Sequence, residues 1–136
     1  MGEDIKITNL MLRVRSVDFY GGYSISENEK YIIGYSVGEG AKGDGRCVLL
    51  EDKKIILDIN IPRPLKAVVT DNGTFAVKDT KFDKNNKLVS TLFIVDKLGN
   101  ILVQKQYDKL ITDFSIISGN RLLCQIYDTE ESFQFD

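Results

Sequence analysis

Apolar positions along this chain come in short runs, rich in Val, Ile, Tyr and Phe and separated by clusters of Gly, Asn and Asp. The runs fall at residues 31–35, 47–50, 55–59, 74–77, 91–95, 101–103, 113–117 and 122–126. That grammar predicts strands joined by turns. No window holds apolar residues at helical spacing with caps at both ends. Residues 5–15 have some helical character, but the alternation Met11-Leu12-Arg13-Val14-Arg15 favours a strand. Asp71-Asn72-Gly73, Leu98-Gly99-Asn100 and Ser118-Gly119-Asn120 supply tight-turn chemistry, since Asn and Gly tolerate positive φ. Glu51-Asp52-Lys53-Lys54 splits two further runs, and Pro62 and Pro64 mark a connection or an edge.

The runs repeat. Ser26 to Ile33 aligns with Thr70 to Val77 at an offset of 44, Asn28 on Asn72 and Tyr31 on Phe75. Leu50 to Lys53 meets Val95 to Leu98 at 45, and Ile55 to Leu57 meets Ile101 to Val103 at 46. A third copy starts at Ile117, 47 residues beyond the second. The first unit reads as strands 31–37, 46–51, 54–61 and 65–70, and the second as 74–80, 89–96, 100–107 and 110–117. The third contains 121–127 and a strand around Phe133-Gln134-Phe135. Ile5-Lys6-Ile7 and Met11 to Phe19 resemble the two strands this unit lacks. The expectation is one all-β domain, 1–136. It holds about twelve short antiparallel strands in three four-stranded units, at 23–70, 71–117 and 118–136 completed by 1–22.

Ser90 to Val103, with its aromatic-rich strand, Asp96-Lys97-Leu98-Gly99 hairpin and returning strand, resembles the blades of quinoprotein-like and WD-repeat-like β-propellers. Phe114 to Asn120 resembles the strand-to-strand junction that follows. The likeness spans about residues 10–135 and implies an architecture. It transfers no functional residue, because the Gly-His and Trp-Asp signatures are absent along with every His and Trp. Propellers close with roughly 4–8 blades. Three units therefore leave three arrangements open: two chains joined head to tail through the split unit, a piece of a larger ring, or a β-sandwich.

Composition narrows the function. The chain has 136 residues, formal charge -2 and a pI near 5.2, with Lys and Arg spread along it. It lacks the basic footprint of nucleic-acid binding. No stretch reaches the length of a membrane span and no signal-peptide layout opens the chain, so the expected place is the cytoplasm. Cys47 and Cys124 lie in apolar runs and read as buried free thiols. Without His, no Ser-His-Asp or Cys-His catalysis and no His-ligated metal is possible. Gly38 to Gly43 matches G-x-G-x-x-G, but a strand follows where a dinucleotide site needs a helix, so it reads as a hairpin loop. Asp79, Asp83, Asn85 and Asn86 could offer oxygen ligands to calcium. The lysines at 78, 81, 84 and 87 offset that charge and favour a solvated loop. Asp128, Glu130 and Glu131 read as a solvated acidic turn.

The expectation is a non-enzymatic protein-interaction or scaffolding domain that self-associates through its terminal strands as a homo-oligomer, with a dimer as one form, and with no cofactor and no metal. Two other readings stand beside it: a small-ligand or carbohydrate-binding propeller using the loops near 37–45 and 79–88, and a carboxylate-based hydrolase. The candidate interaction surface is Tyr20, Tyr23 and Tyr35, from a Tyr-rich segment, with Asp79, Asp83 and Asn85.

Overall fold

The computed structural model describes residues 4–38, 45–118 and 121–134. Its elements are thirteen antiparallel strands and one turn of 3-10 helix at Arg15–Val17. Sheet one runs β1 (Ile5–Ile7), β2 (Leu12–Val14), β3 (Phe19–Ile25), β4 (Tyr31–Ser36), β5 (Arg46–Glu51) and β6 (Lys54–Asn60), each strand paired with the next. Sheet two is β7 (Pro64–Val69), β8 (Phe75–Phe82), β9 (Leu88–Val95) and β10 (Ile101–Tyr107). Sheet three is β11 (Ile111–Ser118), β12 (Arg121–Ile126) and β13 (Thr129–Gln134).

The all-β expectation holds, and from Tyr31 onward the observed strands follow the predicted runs; before that, the expected strand Met11 to Phe19 is broken by the 3-10 turn at Arg15–Val17, and β3 (Phe19–Ile25) is a thirteenth strand that no predicted run covered. The grouping differs in two places. β7 was expected to end the first unit, yet it pairs with β8 and opens sheet two. Residues 1–22 were expected to complete the sheet of 118–136. Within this chain β1 pairs with β2, and β2 with the first half of β3 through Leu12↔Gly21 and Val14↔Phe19. The physical reason is the apolar set Leu12, Val14 and Phe19, which finds a nearer face to cover. It packs on Ile32, Val48 and Leu50 of sheet one, so the N-terminal strands curl over the sheet they belong to.

Alternation explains the stack of sheets. On β4 and β5, Ile33, Cys47 and Leu49 point one way and Ile32 and Val48 the other. The first set meets Ala67, Val69, Phe75, Val77 and Val95 of sheet two. The opposite face of sheet two presents Ala76, Leu92 and Ile94 to Ile111, Phe114, Leu122, Cys124 and Ile126 of sheet three. Sheets one and two are thus apolar on both faces and sheet three on one. Gly34 makes the curl possible, since a Cβ there would stand 2.8 Å from Leu12 Cδ2 and Phe19 Cε1. Gly21 is tighter, with a would-be Cβ at 2.3 Å from the Tyr35 carbonyl oxygen, an atom that has no rotamer to escape by.

Candidate functional site

Three places in the described residues carry surface chemistry. The first is a groove of about 790 Å³ along β3, β7 and β11, one strand from each sheet, with Tyr23, Tyr35, Lys66, Val68, Phe114 and Ile116 among its lining. Tyr23 donates from its hydroxyl to the Thr8 carbonyl at 2.7 Å, and Ser24 Oγ donates to the Ala67 carbonyl at 2.8 Å, tying β3 to β7. Lys66 Nζ is 2.7 Å from Asp113 Oδ1 and 5.4 Å from the centre of the Phe114 ring. The lysine holds the Asp113 carboxyl below its ordinary range, helped by the Phe114 N–H. On β8, Lys78 donates to the Ile111 carbonyl at 3.0 Å, and burial lowers its pKa, with the Lys66 charge adding to the effect. Leu10 and Ile25, both exposed, rim the groove.

The second place is Asp79. It was expected on a loop at 79–88, but β8 continues to Phe82 and Asp79 lies inside the strand, 3 % exposed. Its Oδ2 accepts the Arg63 backbone N–H at 3.2 Å, while its Oδ1 has no hydrogen-bond partner. It stands in the wall of a cavity of about 480 Å³ with Pro62, Lys81, Thr91, Phe93, Gln104 and Gln106. Nothing in the spacing of the sequence separates this Asp from its solvated neighbours. The signal available was the strand alternation, which continues through Phe75, Val77 and Asp79.

The third place is the two ends of the chain. At one, Lys6 sits directly across from Arg13 on the exposed face of the β1–β2 hairpin, with Arg15 beside them. Like charges opposite one another on a sheet repel. Asp4, which could offset them, accepts instead from the backbone N–H and hydroxyl of Ser16 at 2.7 and 2.9 Å. At the other, β13 pairs with β12 along its whole length, and among the described residues its second edge has no partner. Sheet three has three strands, whereas β7–β10 make four and β3–β6 repeat that four-strand order in sheet one.

The six residues singled out from sequence do not form one surface. Tyr23 and Tyr35 meet in the groove. Tyr20 is exposed near Arg13 and Arg15. Asp83 is consumed by its own turn: Oδ1 accepts from Asn85 N at 2.8 Å and Lys87 N at 2.9 Å, which leaves Asn85 as an exposed turn residue. Asp96 does the same at the next hairpin, accepting from Leu98 and Asn100. Asp128, Glu130 and Glu131 do not form one acidic turn: Asp128 sits in the turn and pairs with Lys109 at 3.5 Å, while Glu130 and Glu131 lie on β13, Glu131 pairing with Lys105 at 2.7 Å. Among the described residues no group of three metal-ligating side chains comes together, and no helix is long and apolar enough to cross a membrane. Most of the Gly38–Gly43 motif lies outside the described residues.

The chain matches no family model, no curated protein and no solved structure.

Proposed function

We propose that the chain is a non-enzymatic protein-interaction domain whose copies join head to tail, the edge strand β1 of one N-terminal hairpin pairing with β13 of the next as its fourth strand. The observation that carries this reading is the unpaired edge of β13 in a sheet one strand shorter than the four-strand order of its neighbours. An open edge is a row of backbone donors and acceptors ready for another strand. The incoming hairpin brings Lys6 and Arg13 toward the exposed Glu130 of β13, so the cationic pair that repels itself in one chain gains an anionic neighbour. Sheets that stack face to face, with β3, β7 and β11 gathered on one groove, support reading them as propeller blades. Two copies sharing both ends then close a ring of six, and closure by symmetry removes the edges.

The turn at Tyr127-Asp128 fixes which β13 groups face outward. Ile126↔Thr129 closes the two-residue hairpin, so Glu130, Ser132 and Gln134 aim their N–H and C=O away from β12. Ser132→Pro therefore removes one outward donor without touching the β12 ladder. Light scattering at roughly 100 μM protein is expected to give twice the 15.4 kDa of one chain. Ser132→Pro and Lys6→Glu/Arg13→Glu should each give the single-chain mass with an unchanged circular dichroism spectrum. A wild-type mass of one chain, or a dimer indifferent to both changes, overturns the reading.

A further inference from the structure

We propose that the groove along β3, β7 and β11 binds a short extended peptide of about four residues, its ammonium end beside Glu27 and Asp71 and its carboxylate end beside Lys66. Ser24 Oγ reaches the Ala67 carbonyl and the Asn28 N–H reaches Asp71 Oδ1, each pair 43 residues apart, so the chain segments of β3 and β7 run side by side in one direction. By that offset Lys66 stands level with Tyr23, and Thr70 with Glu27. The groove is therefore charged at two ends, separated by about four residues of strand, or about 13 Å. Glu27 is exposed, and Asp71 commits one carboxylate oxygen to Asn28. At the other end the single carboxylate of Asp113 answers both Lys66 and Lys78, which leaves one positive charge over. Lys66 is the one of the two in the wall, and its side chain is 39 % exposed.

Between the charged ends lies an open strand edge. β2 pairs with β3 only as far as Gly21, while β4 pairs with it from Gly22 to Ile25. The Ser26 N–H bonds the Tyr31 carbonyl, so alternation along β3 turns the N–H and C=O of Tyr23 and Ile25 toward the side that β2 has left. Both residues line the groove, and among the described residues no strand pairs with β3 on that side beyond Gly21. Groups so spaced along an edge hold a peptide backbone. The charges give the peptide a direction: with its ammonium at the Glu27 end it runs against β3, the antiparallel and better-bonded order. Leu10 and Ile25, 80 % and 44 % exposed, offer apolar surface to its side chains. At about 790 Å³ the groove has the size of a small-ligand site. None of Lys6, Arg13 and Ser132 lines it, so this site and the association of copies stand or fall separately.

The test follows the backbone amide signal of Ile25 in the full ¹⁵N-labelled chain during titration with tetraalanine. The same titration is run with N-acetylated tetraalanine, with its C-terminal amide, and with ε-aminocaproate, a zwitterion without peptide groups. Tetraalanine is expected to shift the signal saturably with a Kd of roughly 1 mM. Each cap should weaken binding about tenfold, and ε-aminocaproate should bind at least about tenfold more weakly than tetraalanine. Glu27→Gln should shrink the penalty of acetylation and leave that of amidation, and Lys66→Gln should do the reverse. If Lys66→Gln does not give a folded spectrum, Glu27→Gln carries the comparison. Binding of ε-aminocaproate as tight as that of tetraalanine overturns the proposal. So does a response that either cap leaves unchanged, a pair of penalties that neither variant alters, or no saturable shift up to roughly 20 mM tetraalanine.

Discussion

The two ends of the sheet stack solve the same problem in opposite ways. Sheet one has apolar side chains on both faces, and its outer face is covered by the chain's own β1, β2 and the start of β3, with Leu12 and Val14 fully buried. Sheet three buries its apolar cluster toward sheet two; its other face presents Ser115, Arg121, Gln125 and Glu130 to solvent, with Leu123 half buried among them. One end is closed by adding strands, the other by turning polar. A terminal unit of a stacked protein needs one or the other, because an uncovered apolar sheet invites aggregation. What remains open at the second end is an edge, not a face, and that is why the association proposed above runs through backbone pairing.

The largest effect should come from truncating matched leucines at the two ends. Leu12→Ala empties a fully buried site between the curl and sheet one, and should cost about 2–5 kcal/mol in urea unfolding. Leu123→Ala, on the polar outer face of sheet three, should cost about 1 kcal/mol or less. Equal losses would mean that the outer face of sheet three is covered by something in solution, and the contrast between the ends would fall.

Much of this contrast was legible in the residues. Unbroken apolar runs such as Cys47 to Leu50 and Thr91 to Val95 belong to strands buried on both faces, whereas Arg121 to Ile126 is interrupted by Gln125 and is buried on one. Strand positions and turns from Tyr31 onward followed from the same local chemistry, whereas β3, with Gly21 and Gly22 inside it, gave no unbroken apolar run. Partners did not. Whether β7 ends one sheet or opens the next depends on which face Ala67 and Val69 find, and alternation alone is silent about that. The curl of β2 depends on a close approach over Gly34, a long-range fact with no local signature. Asp79 was singled out, but its burial was not foreseen, for a related reason: it comes from the continuation of β8, while the neighbours at 81, 83 and 84 read as a charged loop.

The two cysteines give an intermediate effect. Cys47 lies between sheets one and two and Cys124 between sheets two and three. Burial raises the pKa of both thiols, Cys124 from 9.0 to about 11, so neither reacts readily while the sheets are closed. Labelling under native conditions therefore reports opening. Sheet three is held on one face, and sheet one on two. In the single-thiol variants Cys47→Ala and Cys124→Ala, Cys124 should react with a disulfide reagent at least about tenfold faster than Cys47. Identical rates equal to that of global unfolding would show that the two ends open as one unit.

The smallest effect concerns the ion pair that pins sheet three to sheet two at its outer side. Glu131 of β13 accepts from Lys105 at 2.7 Å and from the Tyr107 hydroxyl, both on β10. Lys105 first, and Tyr107 after it, hold the Glu131 carboxyl below its ordinary value of 4.5. A depressed carboxyl stabilises the fold at every pH above its unfolded value, and that contribution disappears as pH falls through the lower folded value. The groups are part exposed, so the contribution is only about 0.2–1 kcal/mol. Glu131→Gln should lower the urea midpoint by that much at pH 7, and the two proteins should converge as the pH drops below about 4.5. The same substitution should speed labelling of Cys124, which Glu131 faces across the β12–β13 ladder, and leave Cys47 unchanged. A loss shared by both thiols would mean that the pair supports the whole stack and not its exposed end.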